Sequence, residues 1–188
     1  MTHNPLAHAP LPRITIVTGT DTDVGKTYTT AALAVAAWSS GVQRIAVYKP
    51  QQTGVRGDDP GDVDDVARLA HTVGVPSAAL TVAEGQRLTE PMAPPPAAAI
   101  DGVDLLSITA HVERVMELQE SHDLVLVEGS GGVLVELDGQ QHTIADLARE
   151  LQGRAGEDVG TVVVTRPDLG TLNHTLLTLE AVSYTHLR

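Results

Sequence analysis

The chain has 188 residues, a formal net charge of −12, no cysteine, no phenylalanine and an aromatic content of 2%. That length suits one domain with a continuous core, and the acidity excludes a sequence-independent grip on nucleic acid or an anionic membrane, both of which draw on clustered Lys and Arg. Without cysteine there are no thiol nucleophiles, thiolate metal sites or disulfides, which predicts a reducing, cytoplasmic setting; without aromatics there are no base-stacking platforms, and Ala, Val, Leu and Ile must build the core.

Met1 to Pro12 carries three prolines and no apolar run long enough for a signal sequence or a membrane span, so it reads as a loose leader ahead of a domain over 13–182. Arg13 to Thr18 (RITIVT) is a β-branched run ending at Gly19, the pattern of a buried parallel strand. An Ala-rich helix follows from Lys26 to Ser40, closed by Gly41. Arg44 to Tyr48 (RIAVY) predicts a second strand, which delivers Lys49 and Pro50 at its end, and Asp62 to Val73 predicts a helix stopped by Gly74 and Pro76. Thr81 to Asp101 includes Pro91, Pro94, Pro95 and Pro96, which lack a backbone donor, and is expected to be a loop. Leu105, Ile108, Val112, Val115 and Met116 then fall at helical spacing.

Asp123 to Val127 (DLVLV) is a further buried strand leading into Glu128, and Thr143 to Leu151 is a helix. Thr161 to Thr165 (TVVVT) is a strand, and Thr171 to Val182 is a last helix, whose stripe of Leu172, Leu176, Leu179 and Val182 is expected to bury against the sheet. Strands alternating with helices predict a doubly wound α/β fold, a mainly parallel sheet with helices on both faces and its ligand site beyond the carboxyl ends of the strands.

The chemistry starts at Gly19-Thr20-Asp21-Thr22-Asp23-Val24-Gly25-Lys26-Thr27, which follows a strand and opens a helix as a phosphate loop requires. Five residues separate Gly19 from Gly25, one more than in the common pattern. Backbone N–H groups of the loop and of the helix start, Asp23 to Tyr28, suit the phosphates of ATP. Gly25 allows close approach, Lys26 supplies charge for the outer phosphates and the Thr27 hydroxyl can ligate Mg2+. These features define a P-loop NTPase-like domain.

Lys49 leaves a strand toward the same end of the sheet, where a cation can steady developing negative charge. Glu128 follows five residues of strand and precedes only small ones, an acid at the mouth of the sheet suited to magnesium beside Thr27. The acidic group Asp58, Asp59, Asp62, Asp64 and Asp65 is mostly a solvated helix start favoured by the helix dipole, and one member supplies a second carboxylate. Ser130 is no nucleophile elbow, because Glu128 stands where the first glycine of G-x-S-x-G would be, and the eight histidines show no metal-ligand spacing.

Four stretches in order resemble the dethiobiotin synthetases of biotin synthesis: GTDTDVGKT with its longer spacing, Lys49-Pro50 followed by Thr53-Gly54, Val127-Glu128-Gly129-Ser130-Gly131-Gly132 with Ser130 in place of the usual Ala, and Asp168-Leu169-Gly170-Thr171-Leu172-Asn173-His174. The resemblance implies ATP-dependent carboxylation and cyclisation of 7,8-diaminopelargonate with CO2, giving dethiobiotin, ADP and phosphate. It assigns charge neutralisation in catalysis to Lys26 and Lys49, nucleotide contacts also to Asp62, Glu128, Gly129, Ser130 and Gly131, and magnesium to Thr27, Asp62 and Glu128. Asp64 or Asp65 replaces Asp62 if the loop is aligned differently. Thr53 would touch the substrate, and Gly170, Thr171, Leu172 and Asn173 would receive its carboxylate across the interface of a homodimer. A partitioning or septum-positioning switch ATPase is a rival, but it needs an early loop lysine where Asp21 stands; a cobyrinate-type amidoligase is another. Ser183 to Arg188 does not resemble the family, and the sequence is expected to lack the segment that holds the adenine ring.

Overall fold

The computed structural model describes residues 11–184, so most of the expected leader and the last four residues of the expected non-family end lie outside the described residues. The elements run β1 (Ile14–Gly19), α1 (Lys26–Ser39), β2 (Ile45–Gln52), α2 (Asp62–Thr72), β3 (Leu80–Arg87), α3 (Pro94–Asp101), α4 (Ile108–Ser121), β4 (Leu124–Glu128), α5 (Ile144–Ala155), β5 (Val159–Val164) and α6 (Thr171–Tyr184). The five strands form one sheet in the order β3-β2-β4-β1-β5, and every pairing is parallel.

Apolar runs such as Leu124 to Val127 are buried on both faces, as a parallel sheet covered by helices demands. On one face Ala31, Ala34 and Ala37 of α1 and Val63, Val66 and Ala70 of α2 pack against Ile45, Val47 and Leu126. On the other, Val112, Val115 and Leu118 of α4 and Leu147, Ala148 and Leu151 of α5 pack against Ile14, Ile16, Val125 and Val127. The Ala-rich α1 lets its backbone lie close to the sheet, which supplies in proximity what the missing aromatics would supply in bulk.

β1 and β4 are neighbours, yet β1 leads by α1 across to β2 while β4 leads by α5 to β5 on the other side. Their connections part in opposite directions, and a crevice opens at their carboxyl ends, where ligands bind in doubly wound sheets. The phosphate loop follows β1 and Glu128 ends β4, so both reach that crevice.

Three expectations are corrected. The proline-rich stretch expected as a loop over 81–101 contains β3 and α3. Pro94, Pro95 and Pro96 occupy the first turn of α3, where no intrahelical donor is required of them. β2 does not stop at Tyr48 but continues through Pro50 to Gln52. Its pairing with β4 ends at Tyr48, and its register with β3 runs through Lys49 and Gln51, so the missing N–H of Pro50 breaks no ladder bond. The apolar stripe of α6 is not buried: Leu172, Leu176 and Leu179 are 79%, 66% and 44% exposed, and Val182 with Thr178 makes the buried contact instead.

Candidate active site

The phosphate loop runs from Gly19 to α1. A Cβ on Gly19 would lie 2.7 Å from Val24 Cγ2 and 3.3 Å from the carbonyl oxygens of Asp21 and Val164, so the loop's tight return needs glycine there. Asp23 (φ 58°) and Gly25 (φ 97°) are left-handed, the backbone from which anion-binding concavities are made. α1 begins with no side-chain cap, leaving its first-turn N–H groups and the positive end of the helix dipole for an anion. Lys26 lies over the loop, its Nζ donating to Asp21 O at 2.8 Å. Burial, and then the charge of Lys49, holds the Lys26 ammonium below the ordinary lysine value. Arg166, from the segment after β5, pairs with the Asp21 carboxylate and ties that segment to the loop.

Lys49 and Glu128 meet on the floor of the crevice. Both are buried, and Lys49 Nζ donates to Glu128 Oε1 at 3.0 Å and Gly129 O at 3.3 Å. It also pairs with Asp62 Oδ2 at 2.5 Å. Burial alone would depress the Lys49 ammonium; the carboxylates of Glu128 and Asp62 outweigh it and hold the group above its ordinary value. The Thr27 hydroxyl donates to Glu128 Oε1 at 3.0 Å and that of Thr30 to Glu128 Oε2 at 2.7 Å. Glu128, the first residue past the apolar part of β4, thus has each carboxylate oxygen engaged.

The alternatives among the acids separate by their partners. Asp62 reaches Lys49, while Asp64, in the first turn of α2, accepts from the N-cap Gly61 N at 2.8 Å and Asp65 pairs with Arg68 at 2.7 Å. Gln52 fixes Asp62 from the other side, its Oε1 accepting from Asp62 N at 2.8 Å. Arg87 at the end of β3 donates to Gly57 O at 3.0 Å and Asp59 O at 2.5 Å and pairs with Glu84 at 2.8 Å, which clasps the acidic loop to the sheet edge.

These groups border a cavity of about 740 Å3 whose lining includes Asp23, Gly25, Lys26, Thr27, Tyr28, Lys49, Gln52, Thr53, Asp62, Glu128, Ser130 and Gly131. Val24 and Gly129, also expected to contact the nucleotide, are not among the residues lining the cavity; the Gly129 carbonyl reaches the site only by accepting from Lys49. Ser130 donates its hydroxyl to the Gln51 carbonyl, joining the β4 loop to the end of β2. Gly170, Thr171, Leu172 and Asn173 lie outside the cavity, and the structure does not bring them to it.

Sequence reasoning passed over Gln51, Gln52, Glu84, Arg87 and His111. Gln51 Nε2 donates to Leu137 O at 2.9 Å and approaches His111 Nε2 at 3.3 Å, and His111 Nδ1 lies 2.8 Å from Tyr48 Oη. Because the Leu137 carbonyl demands the amide N–H2 of Gln51 on that side, Nε2 of His111 accepts and Nδ1 carries the proton toward Tyr48. For Gln51 and Gln52 a signal was present, as polar side chains shortly after the apolar run of β2, in a strand that is buried throughout. Among the described residues no three His, Asp or Glu side chains converge as a ready-made metal cage.

A parallel α/β sheet whose first strand runs through a glycine loop into a helix starting Lys-Thr, with an acid closing the neighbouring strand, defines a P-loop nucleoside triphosphatase-type domain. A family model described as an AAA domain matches residues 13–188. The chain is 49% identical over 170 residues to an ATP-dependent dethiobiotin synthetase BioD of Rhodococcus jostii, covering 90% of this chain and 68% of that protein. It is 46% identical over 165 residues to the BioD of Streptomyces avermitilis, covering 88% of this chain and 63% of the relative. The chain belongs to the dethiobiotin synthetase family, spanning about two thirds of the length of these relatives. The resemblance drawn from its four motifs is borne out, and neither rival reading is favoured. Among solved structures, the kinase domain of Escherichia coli tyrosine kinase ETK is similar at a TM-score of 0.57 and 15% identity, covering 94% of this chain and 64% of that one. The BceF tyrosine kinase domain is similar at a TM-score of 0.54 and 19% identity, covering 93% and 65%. Both share the fold.

Proposed function

We propose that this site forms dethiobiotin from 7,8-diaminopelargonate, CO2 and ATP, with ADP and phosphate as the other products. One observation carries it: a second lysine, Lys49, lines the same cavity as the phosphate-loop residues Lys26 and Thr27 and as Thr53. An ATPase needs a cation on the phosphates; a ligase needs a second one where phosphate meets its acceptor.

One substrate amine adds to CO2 and loses a proton, giving a carbamate. A carbamate oxygen attacks the γ-phosphorus as the bond to the ADP oxygen breaks. The second amine then attacks the carbonyl carbon of the mixed anhydride, the C–O bond to phosphate breaks, and the five-membered urea closes. Lys26 and the uncapped amides of α1 grip the outer phosphates, Lys49 neutralises the carbamate oxygen approaching the γ-phosphoryl group, and Thr53 bounds the diamine. The donors fit magnesium, since Asp62 and Glu128 already embrace a cation, the Lys49 ammonium, and the Thr27 hydroxyl adjoins them. Thr27, Asp62 and Glu128 would hold the ion, which when bound supplies charge neutralisation on the phosphates. In a homodimer the loop Gly170 to Asn173, facing solvent beside the exposed Leu172, would receive the substrate carboxylate of the second copy at the N-terminus of α6.

The reading is tested by phosphate release. ATP turnover should depend on both diaminopelargonate and bicarbonate, rising at least about tenfold when the two are present together. Equal turnover without either would mark a plain ATPase.

A further inference from the structure

The buried Lys49 ammonium meets two carboxylates, one from the buried Glu128 and one from the partly exposed Asp62. Its Nζ lies 2.5 Å from Asp62 Oδ2 and 3.0 Å from Glu128 Oε1. The same two acids, with the Thr27 hydroxyl 3.0 Å from Glu128 Oε1, are the oxygen donors for magnesium in the reading above. A hard dication and an ammonium therefore want the same oxygens. We infer that Lys49 is a built-in stand-in for the metal: it occupies the cation position between Asp62 and Glu128 in the nucleotide-free chain, and metal binding releases it toward the reacting groups.

The inference follows from charge. A carboxylate as buried as that of Glu128 is strongly disfavoured without a cation, so the empty site needs an internal counter-ion, which the partly exposed Asp62 then shares. Lys49 meets that need from β2, and Gly129 O takes a further ammonium proton at 3.3 Å. When a dication enters, Asp62 and Glu128 no longer require the lysine. The released ammonium then needs an anion of its own, and a triphosphate or a carbamate in the cavity provides one. Metal alone leaves Lys49 without an anionic partner, and triphosphate alone leaves Lys49 held by the acids, so each ligand strengthens the binding of the other through this one side chain. The consequence is an order of events in which Lys49 becomes free to meet the carbamate only after the metal is in place.

This inference rests on Asp62 and Glu128 being the metal ligands, and the experiment separates the two claims. Mn2+ alone, without nucleotide, is titrated into the full chain at fixed pH, with free ion read from its paramagnetic resonance signal. Lys49→Met should bind Mn2+ at least about tenfold tighter than the wild-type chain, Lys49→Arg should stay within about threefold of wild type, and Glu128→Gln added to Lys49→Met should abolish the gain. Mn2+ affinity unchanged in Lys49→Met overturns the stand-in. Glu128→Gln with undiminished Mn2+ uptake, both alone and with a non-hydrolysable ATP analogue, removes the ligand assignment beneath it. Should Lys49→Met fail to fold, the wild-type chain still decides. Acetylation of the Lys49 amine, mapped by mass spectrometry, should quicken several-fold on saturation with Mg2+, and a rate indifferent to Mg2+ is evidence against release.

Discussion

Burial acts on Lys49 and His111 in the same direction, against the charged form, yet the two side chains end in opposite states. Lys49 has Glu128 and Asp62 beside it and keeps its proton. His111 is buried between Tyr48 and Gln51, and desolvation, only partly opposed by the charge of Asp138, brings its pKa down to about 4. A histidine depressed in the folded state costs nothing while neutral in both states. As pH falls below the unfolded value of about 6.5 the unfolded chain takes a proton that the folded chain refuses until about 4, so stability is lost across that window. The stability advantage of the wild-type chain over His111→Gln should therefore shrink by about 2 kcal/mol between pH values of about 7 and 5. Denaturant melts at the two pH values check this, and a constant gap would contradict it.

At the same scale the site was legible where its residues are neighbours in sequence. Gly25, Lys26 and Thr27 share one loop, and Lys49 and Glu128 each follow the apolar run of a strand, so strand patterning alone put them toward the carboxyl ends of the strands. Gln52, Arg87 and His111 act on partners 10, 30 and 63 positions away or more closely placed only by folding, as Gln52 to Asp62, Arg87 to Gly57 and His111 to Tyr48 show. No local pattern announces such partners.

Among elements, α3 and α6 separate propensity from context. Three prolines mark a break when read one by one, but at the first turn of a helix they preset the backbone angle and sacrifice no bond, so the run opens α3. The leucines of α6 have helical spacing, but spacing fixes only a helix face and not what covers it. The contrast with α5 gives a direct test. Leu147 is fully buried between α5 and the sheet at 0% exposure, whereas Leu176 is 66% exposed. Leu147→Ala should cost about 2–5 kcal/mol, and Leu176→Ala should fall within about 0.5 kcal/mol of the wild-type chain. Equilibrium unfolding measures both, and a large loss at Leu176 would show that α6 is packed otherwise.

For the whole molecule, the doubly wound sheet brings the ends of β1, β2 and β4 to one crevice, where the phosphate loop, Lys49 and Glu128 line one cavity and take, in the proposed reading, the tasks of phosphate grip, charge neutralisation and acid. An acidic chain with formal charge −12 that handles a polyanion must gather its few cations locally, and Lys26 and Lys49 are both in the cavity while Arg166 braces its loop. The central claim is that the carbamate oxygen attacks the γ-phosphorus beside Lys49. The most direct measurement is a single turnover with [18O]bicarbonate, ATP, Mg2+ and 7,8-diaminopelargonate, with phosphate and product weighed by mass spectrometry. The account predicts one labelled oxygen in the phosphate released and one in the urea carbonyl of dethiobiotin. Unlabelled phosphate, with water supplying its new oxygen, would contradict it.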